Sequence, residues 1–151
     1  MKIVFLDFDG VLNSLSDIAF GHPAAIFKRD AIARLNDILH QSRAKVVISS
    51  SWRAHHSLDE LRGFLEELGF QGEIIGATPV FSHHTAQGLK DLGMIRCREI
   101  KAWIDAHPEP LTSFVILDDM ELQLLAAYHV QTDMEIGLCD EHVGLALAIL
   151  G

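Results

Sequence analysis

Cysteine is scarce in this chain. Of 151 residues only Cys97 and Cys139 carry thiols, with no CxxC spacing and no other obvious ligand beside them. They read as reduced core thiols, which argues against a disulfide-stapled scaffold or a thiolate metal site. Long apolar runs are lacking too. The N-terminal run Ile3–Leu6 is interrupted by Asp7, so it is too short for a secretion signal, and nothing approaches the ~20 residues of a membrane helix. Cytoplasmic residence is the default expectation. Positive charge is in deficit: 12 Lys and Arg stand against 21 Asp and Glu, a formal net charge of −9. Such a chain is not expected to bind nucleic acid or an anionic membrane over a broad surface. A phosphorylated substrate stays open, because a bound cation and a few local Arg or Lys residues can reverse the local field. Repeats, low-complexity tracts and linkers are also absent.

What is present is a globular composition, 49% hydrophobic and 22% charged, fitting one domain over residues 1–151. Strand-like runs alternate with helical periodicity, the pattern of an α/β fold with a parallel sheet. The runs are Lys2–Leu6, Lys45–Ile48, Glu73–Ile75, Phe114–Leu117 and, more weakly, Tyr128–Gln131. They show little polar alternation, as befits strands covered on both faces. Ile32, Leu35, Ile38 and Leu39 give an apolar face to a helix near Asp30–Gln41. Ser57-Leu-Asp-Glu60 is a capping box, followed by Leu61, Phe64, Leu65 and Leu68 and stopped by Gly69. Ile100, Trp103 and Ile104 mark a helix ending before Pro108. Leu122 and Leu125 predict another after Asp119, and a last one runs from Glu141 to Leu150. Two irregular stretches, around Asn13–Phe27 and Thr78–Met94, are expected to line the site, since ligands of such sheets bind beyond the carboxyl ends of the strands.

The sharpest feature is Ile3-Val-Phe-Leu-Asp7-Phe-Asp9-Gly10-Val-Leu. A buried strand runs straight into two acids, which is costly unless something neutralises them. Mg²⁺ is the simplest partner, since it prefers carboxylate oxygens. A second run, Phe114-Val-Ile-Leu-Asp118-Asp119, ends in two further acids. A third, Val46-Val-Ile-Ser49, ends in a hydroxyl and continues into Ser50, Ser51, Trp52 and Arg53. Basic residues at Arg96, Arg98 and Lys101 mark the start of the helix before the Asp118 strand. A hydroxyl and a cation are what a transferring phosphoryl group needs around its oxygens.

In this order and spacing the four elements resemble the haloacid dehalogenase (HAD) superfamily of phosphohydrolases. The resemblance implies a Rossmann-like three-layer sandwich whose central, mainly parallel sheet holds the five runs named above. It implies that Asp7 is the nucleophile and Asp9 the general acid/base. It implies that Ser49, or Ser50 one position on, binds phosphate, and that Asp7, Asp9, Asp118 and Asp119 form the acidic metal-binding set. Arg96 matches the family's basic residue best, with Arg98 and Lys101 as alternatives, and Val11 stands where Thr is frequent. A closer likeness, carried by Asp7–Asn13, Ser49–Arg53, Arg96–Trp103 and Leu117–Asp119, is to short capless members that include domains associated with RNA end repair.

The chemistry is also legible from the residues. A carboxylate nucleophile splits hydrolysis into transfer to Asp7 and attack by water, and Asp9 must donate a proton and then accept one. A non-enzymatic receiver-type phosphoacceptor is the rival reading, disfavoured by the Gly-Val-Leu that follows Asp9. His55-His56 and His83-His84 read as surface or cleft side chains, since adjacent histidines diverge and no acid or Cys completes a ligand set. Trp52 and Trp103 read as packing residues. Arg53 reads either as a phosphate ligand or as a solvated cation. Asp9 and Ser49 lie 40 positions apart and Ser49 and Arg96 lie 47 apart, too little for a folded cap beside the expected elements. An open site is expected to admit a large phosphomonoester, with a phosphorylated polynucleotide end as the leading candidate and contacts confined to its terminal nucleotides.

Overall fold

A computed structural model describes residues 1–14, 26–81 and 89–151. Five strands, β1 (Lys2–Leu6), β2 (Lys45–Ile48), β3 (Ile74–Ala77), β4 (Ser113–Asp118) and β5 (His129–Gln131), form one parallel sheet in the order β3-β2-β1-β4-β5. Four α-helices are described: α1 (Arg29–Ser42), α2 (Leu58–Glu66), α3 (Leu89–Ala106) and α4 (Asp140–Leu150).

Period-two alternation sorts the strand residues into two apolar layers. Val4, Leu6, Val46, Ile48, Val115 and Leu117 face one way and meet Ile32, Leu35 and Ile38 of α1, Leu61 and Leu65 of α2, and Ala146 and Leu150 of α4. Ile3, Phe5, Val47 and Ile116 face the other way, toward Cys97, Ile100 and Trp103 of α3. Both faces are covered, which is why the strands read as continuous apolar runs. Trp103 meets Phe5 edge-on at 5.6 Å, and Gly76 of β3 lies beneath its indole.

The strand order places the sheet's topological switch point between β1 and β4. The chain winds outward through β2 and β3, then returns to the other side of β1, leaving a crevice at the carboxyl ends there. Ladder bonds continue past the strand ends: Asp7 N–H donates to Leu117 O (3.0 Å), Ser49 N–H to Leu6 O (2.8 Å) and Thr78 N–H to Ile48 O (2.9 Å). Asp7, Ser49, Thr78 and Asp118 are thereby held in one row along the same edge.

Several boundaries differ from the sequence expectation. β3 starts one residue later than expected and continues through Gly76 and Ala77, small residues with weak strand propensity, the first of which lies against Trp103. α3 begins at Leu89, so Met94 is helical and Arg96 lies two turns in. In place of a helix after Asp119 there are 3₁₀ turns over Gln123–Tyr128, broken at Leu125 (φ −124°, ψ 25°). Only residues 119–128 connect β4 to β5, short for a parallel crossover, while Leu122 is drawn into the core. The described residues hold no element outside the sheet and its flanking layers, and the intervals 15–25 and 82–88 are too short for a domain. No helix among the described residues is long and apolar enough to cross a membrane.

Candidate active site

Three carboxylates meet at the switch point. Asp7 and Asp118 leave the adjacent strands β1 and β4, and Asp119 follows. One oxygen from each lies within 4.8 Å of the others. Asp7 and Asp118 are buried and Asp119 is half-buried. Burial and then the nearby Asp118 charge push the Asp7 carboxyl well above its ordinary value, and the same causes in the same order raise Asp119. Without a cation, the cluster therefore favours holding protons.

Gly10 makes this approach possible. Its φ is +81°, and a Cβ there would lie 2.5 Å from Asp119 Oδ2, so any side chain would both strain the backbone and displace the carboxylate. Both backbone groups of Gly10 are held as well. Its N–H donates to Asn13 Oδ1 (2.9 Å), and its carbonyl accepts from the Thr132 hydroxyl (2.6 Å).

Asp9, two residues after Asp7, is not part of this cluster, and Phe8 between the two acids is buried in the core. Asn13 Nδ2 donates to Asp9 Oδ1 (3.0 Å) and Trp52 Nε1 to Asp9 Oδ2 (3.1 Å). Trp52 packs against Phe8 and Phe27, as expected of it, and also orients an acid. The gathered carboxylates are thus those of Asp7, Asp118 and Asp119, without that of Asp9.

The basic residues divide sharply. Arg96 is buried, with Nη1 at 2.6 Å from Asp118 Oδ2 and 3.6 Å from Asp7 Oδ1. Burial works to lower its pKa, but Asp118, Asp7 and Glu99 more than offset this and raise it. Arg98 is exposed, and Lys101 pairs with Asp105 at 3.2 Å on the helix surface. Arg53, expected as a phosphate ligand or a solvated cation, has its guanidinium turned to protein acceptors. Nε donates to Thr78 O, Nη1 to Ser49 O and Ser50 O, and Nη2 to Pro79 O and Glu99 Oε2. All five donors of the guanidinium are taken, so Arg53 clamps the ends of β2 and β3 together.

Glu99 was not among the sequence candidates. It is buried, accepts from Phe81 N–H (2.8 Å), and stands 2.7 Å from Arg53 and 3.7 Å from Arg96. Its signal was its place three residues after Arg96 and next to Ile100, an acid on the buried face of a helix. Thr78 was missed because β3 was ended too early. The Ser49 and Thr78 hydroxyls are both buried without a hydrogen-bond partner among the described residues, whereas Ser50 Oγ caps the following turn by accepting from Trp52 N–H at 3.3 Å. Of the two serines, Ser49 has the hydroxyl left to offer. His55 is exposed and His56 stacks on Trp52; His83 and His84 lie outside the described residues.

The model of the HAD domain in Swiss Army Knife RNA repair proteins matches residues 3–143. The chain belongs to that family. Comparison with the curated proteins and with the solved structures gives no match. As a HAD domain, the chain has the acids of its first and fourth strands gathered at the switch point, with the buried guanidinium of Arg96 against them.

The residues present also fit the divalent cation that HAD domains use. If all were ionised, Asp7, Asp118, Asp119 and Glu99 would carry four negative charges against the two positive charges of Arg53 and Arg96. One divalent cation closes that difference, and the elevated carboxyl pKa values mark the same deficit.

Proposed function

We propose that this HAD domain is a Mg²⁺-dependent phosphomonoester hydrolase working through an aspartyl-phosphate on Asp7. The observation that carries the reading is the division of labour between Asp7 and Asp9: one acid inside the charged cluster, the other held outside it by Trp52 and Asn13. Asp7, Asp118 and Asp119 would hold Mg²⁺, which supplies charge neutralisation for the phosphoryl oxygens.

An Asp7 oxygen attacks phosphorus, and the bond from phosphorus to the leaving oxygen breaks as Asp9 delivers its proton there. Asp9, now a carboxylate, takes a proton from water; the water oxygen attacks phosphorus and Asp7 leaves as a free carboxylate. The Ser49 hydroxyl donates to an equatorial oxygen, and Arg96 offsets the charge that builds on the phosphoryl group.

The substrate in this reading is a large phosphomonoester, foremost a phosphorylated polynucleotide end. The capless architecture and the RNA-repair context of the family support it. The test is a turnover screen of 5′- and 3′-phosphorylated oligonucleotides, mononucleotides and sugar phosphates in Mg²⁺ and in EDTA. Repeated turnover that stops in EDTA and in Asp7→Asn is expected. A stable stoichiometric phosphoprotein without turnover would instead make the domain a phosphoacceptor.

A further inference from the structure

A cavity of about 320 Å³ opens beside Asp119, between α3 and the loops after β4 and β5. Its size is at the lower end of small-molecule sites. Asp119 belongs both to the carboxylate cluster and to the cavity wall, so the two adjoin.

The lining is unusual for this chain. Of four methionines in the sequence, three, Met94, Met120 and Met134, line this one cavity. Thioethers are polarizable and make favourable contacts with aromatic rings. The polar part of the wall includes two glutamines. Gln131 Nε2 donates to Asp119 O at 3.2 Å, and Gln123 Nε2 to Glu121 Oε1 at 3.3 Å. Both side chains are exposed, and each keeps a carbonyl oxygen with no protein donor among the described residues. Such acceptors suit the N–H edge of a heteroaromatic ring. Glu121 on the same wall repels a second phosphate or a carboxylate, so the wall disfavours an anionic occupant.

We infer that this cavity seats the nucleobase of the nucleotide whose phosphate the site hydrolyses; the inference rests on the phosphomonoesterase reading above. Sulfur contacts hold the ring, the glutamine carbonyls take its amino or imino hydrogens, and the acids confine recognition to the terminal nucleotide.

The test does not require catalysis. With [¹³C-methyl]methionine protein, millimolar adenosine, cytidine or guanosine should shift the methyl resonances of Met94, Met120 and Met134 and leave Met1, at the far end of β1, in place. Glycerol 2-phosphate should not shift the first three. In kinetics, Gln131→Ala and Met134→Ala should lower kcat/KM for a nucleoside monophosphate at least tenfold relative to glycerol 2-phosphate. Methyl resonances indifferent to all three nucleosides, or moved by tyrosine alone, would overturn the assignment. An active enzyme without nucleoside shifts sinks the base site alone. Nucleoside shifts in a protein without turnover sink the hydrolase reading and leave the base site standing.

Discussion

The indole N–H of Trp52, in the turn after β2, reaches 3.1 Å to the Asp9 carboxylate beyond the end of β1. A residue whose ring packs with Phe8 and Phe27 thus also aims an acid on the neighbouring strand.

Trp52→Phe separates these two tasks. The ring remains able to pack, while the donor to Asp9 is lost and the acid can swing. Loss of about one hydrogen bond's worth of positioning, ~1–1.5 kcal/mol, corresponds to roughly a tenfold fall in kcat. The thermal midpoint should move little and KM should stay close to wild type. A variant with normal kcat would show that Asp9 needs no such support.

Asp7→Asn should abolish turnover and, in EDTA, make the protein more stable. The Asp7 and Asp119 carboxyls protonate more readily in the folded chain than at their ordinary value of 3.8. Their contribution to stability is therefore fully present below 3.8. It is lost as pH rises through the elevated folded values, because the native state then binds more protons than the unfolded one. The Tm difference between Asp7→Asn and wild type in EDTA should grow as the pH is raised above about 4. Mg²⁺ should shrink it by binding the folded wild-type site. A pH-independent difference would argue against a strained empty cluster.

Gly10→Ala tests the close approach of Asp119. The new methyl meets the carboxylate, and the backbone must hold a positive φ without glycine. A loss of about 1–3 kcal/mol in stability is expected from the backbone alone. Mg²⁺ affinity, read by calorimetry, should weaken as Asp119 is pushed aside.

Glu99→Ala should be more damaging than its distance from Asp7 implies. It leaves Arg53 and Arg96 facing one another around an empty space, and removal of one partner from a buried ion pair costs about 3–5 kcal/mol. Glu99→Gln keeps the volume and part of the hydrogen bonding, so it should lose less. A Tm for Glu99→Ala close to that of the wild type would contradict the charge argument.

Much of this was readable beforehand, for identifiable reasons. Strands buried on both faces leave uninterrupted apolar runs, so β1, β2 and β4 stand out, and the acids that end β1 and β4 mark the switch point. The capping box at Ser57 was legible because both halves are local: Glu60 N–H donates to Ser57 Oγ, and Ser57 N–H to Glu60 Oε1. What escaped depends on contacts between distant segments. Nothing local to Arg53 says that its donors end on the carbonyls of Thr78 and Pro79 and on Glu99. The Leu122–Leu125 spacing fits a helix, yet a ten-residue crossover with Leu122 pulled inward allows only 3₁₀ turns.

Asp7 and Asp118 lie 111 positions apart in the sequence yet leave strands that are direct neighbours. Their meeting belongs to the slowest class of contact for a folding chain, one closed only after a long intervening segment has been ordered. The carboxylates that would perform the chemistry also repel one another across that closure, so the acids oppose the pairing of β1 with β4. Arg96 arrives on α3, the helix immediately before β4, and meets Asp118 as that strand docks. Assembly of the carboxylate cluster and the pairing of β1 with β4 are thus a single event, and a chain that has not made that pairing would not gather the three acids.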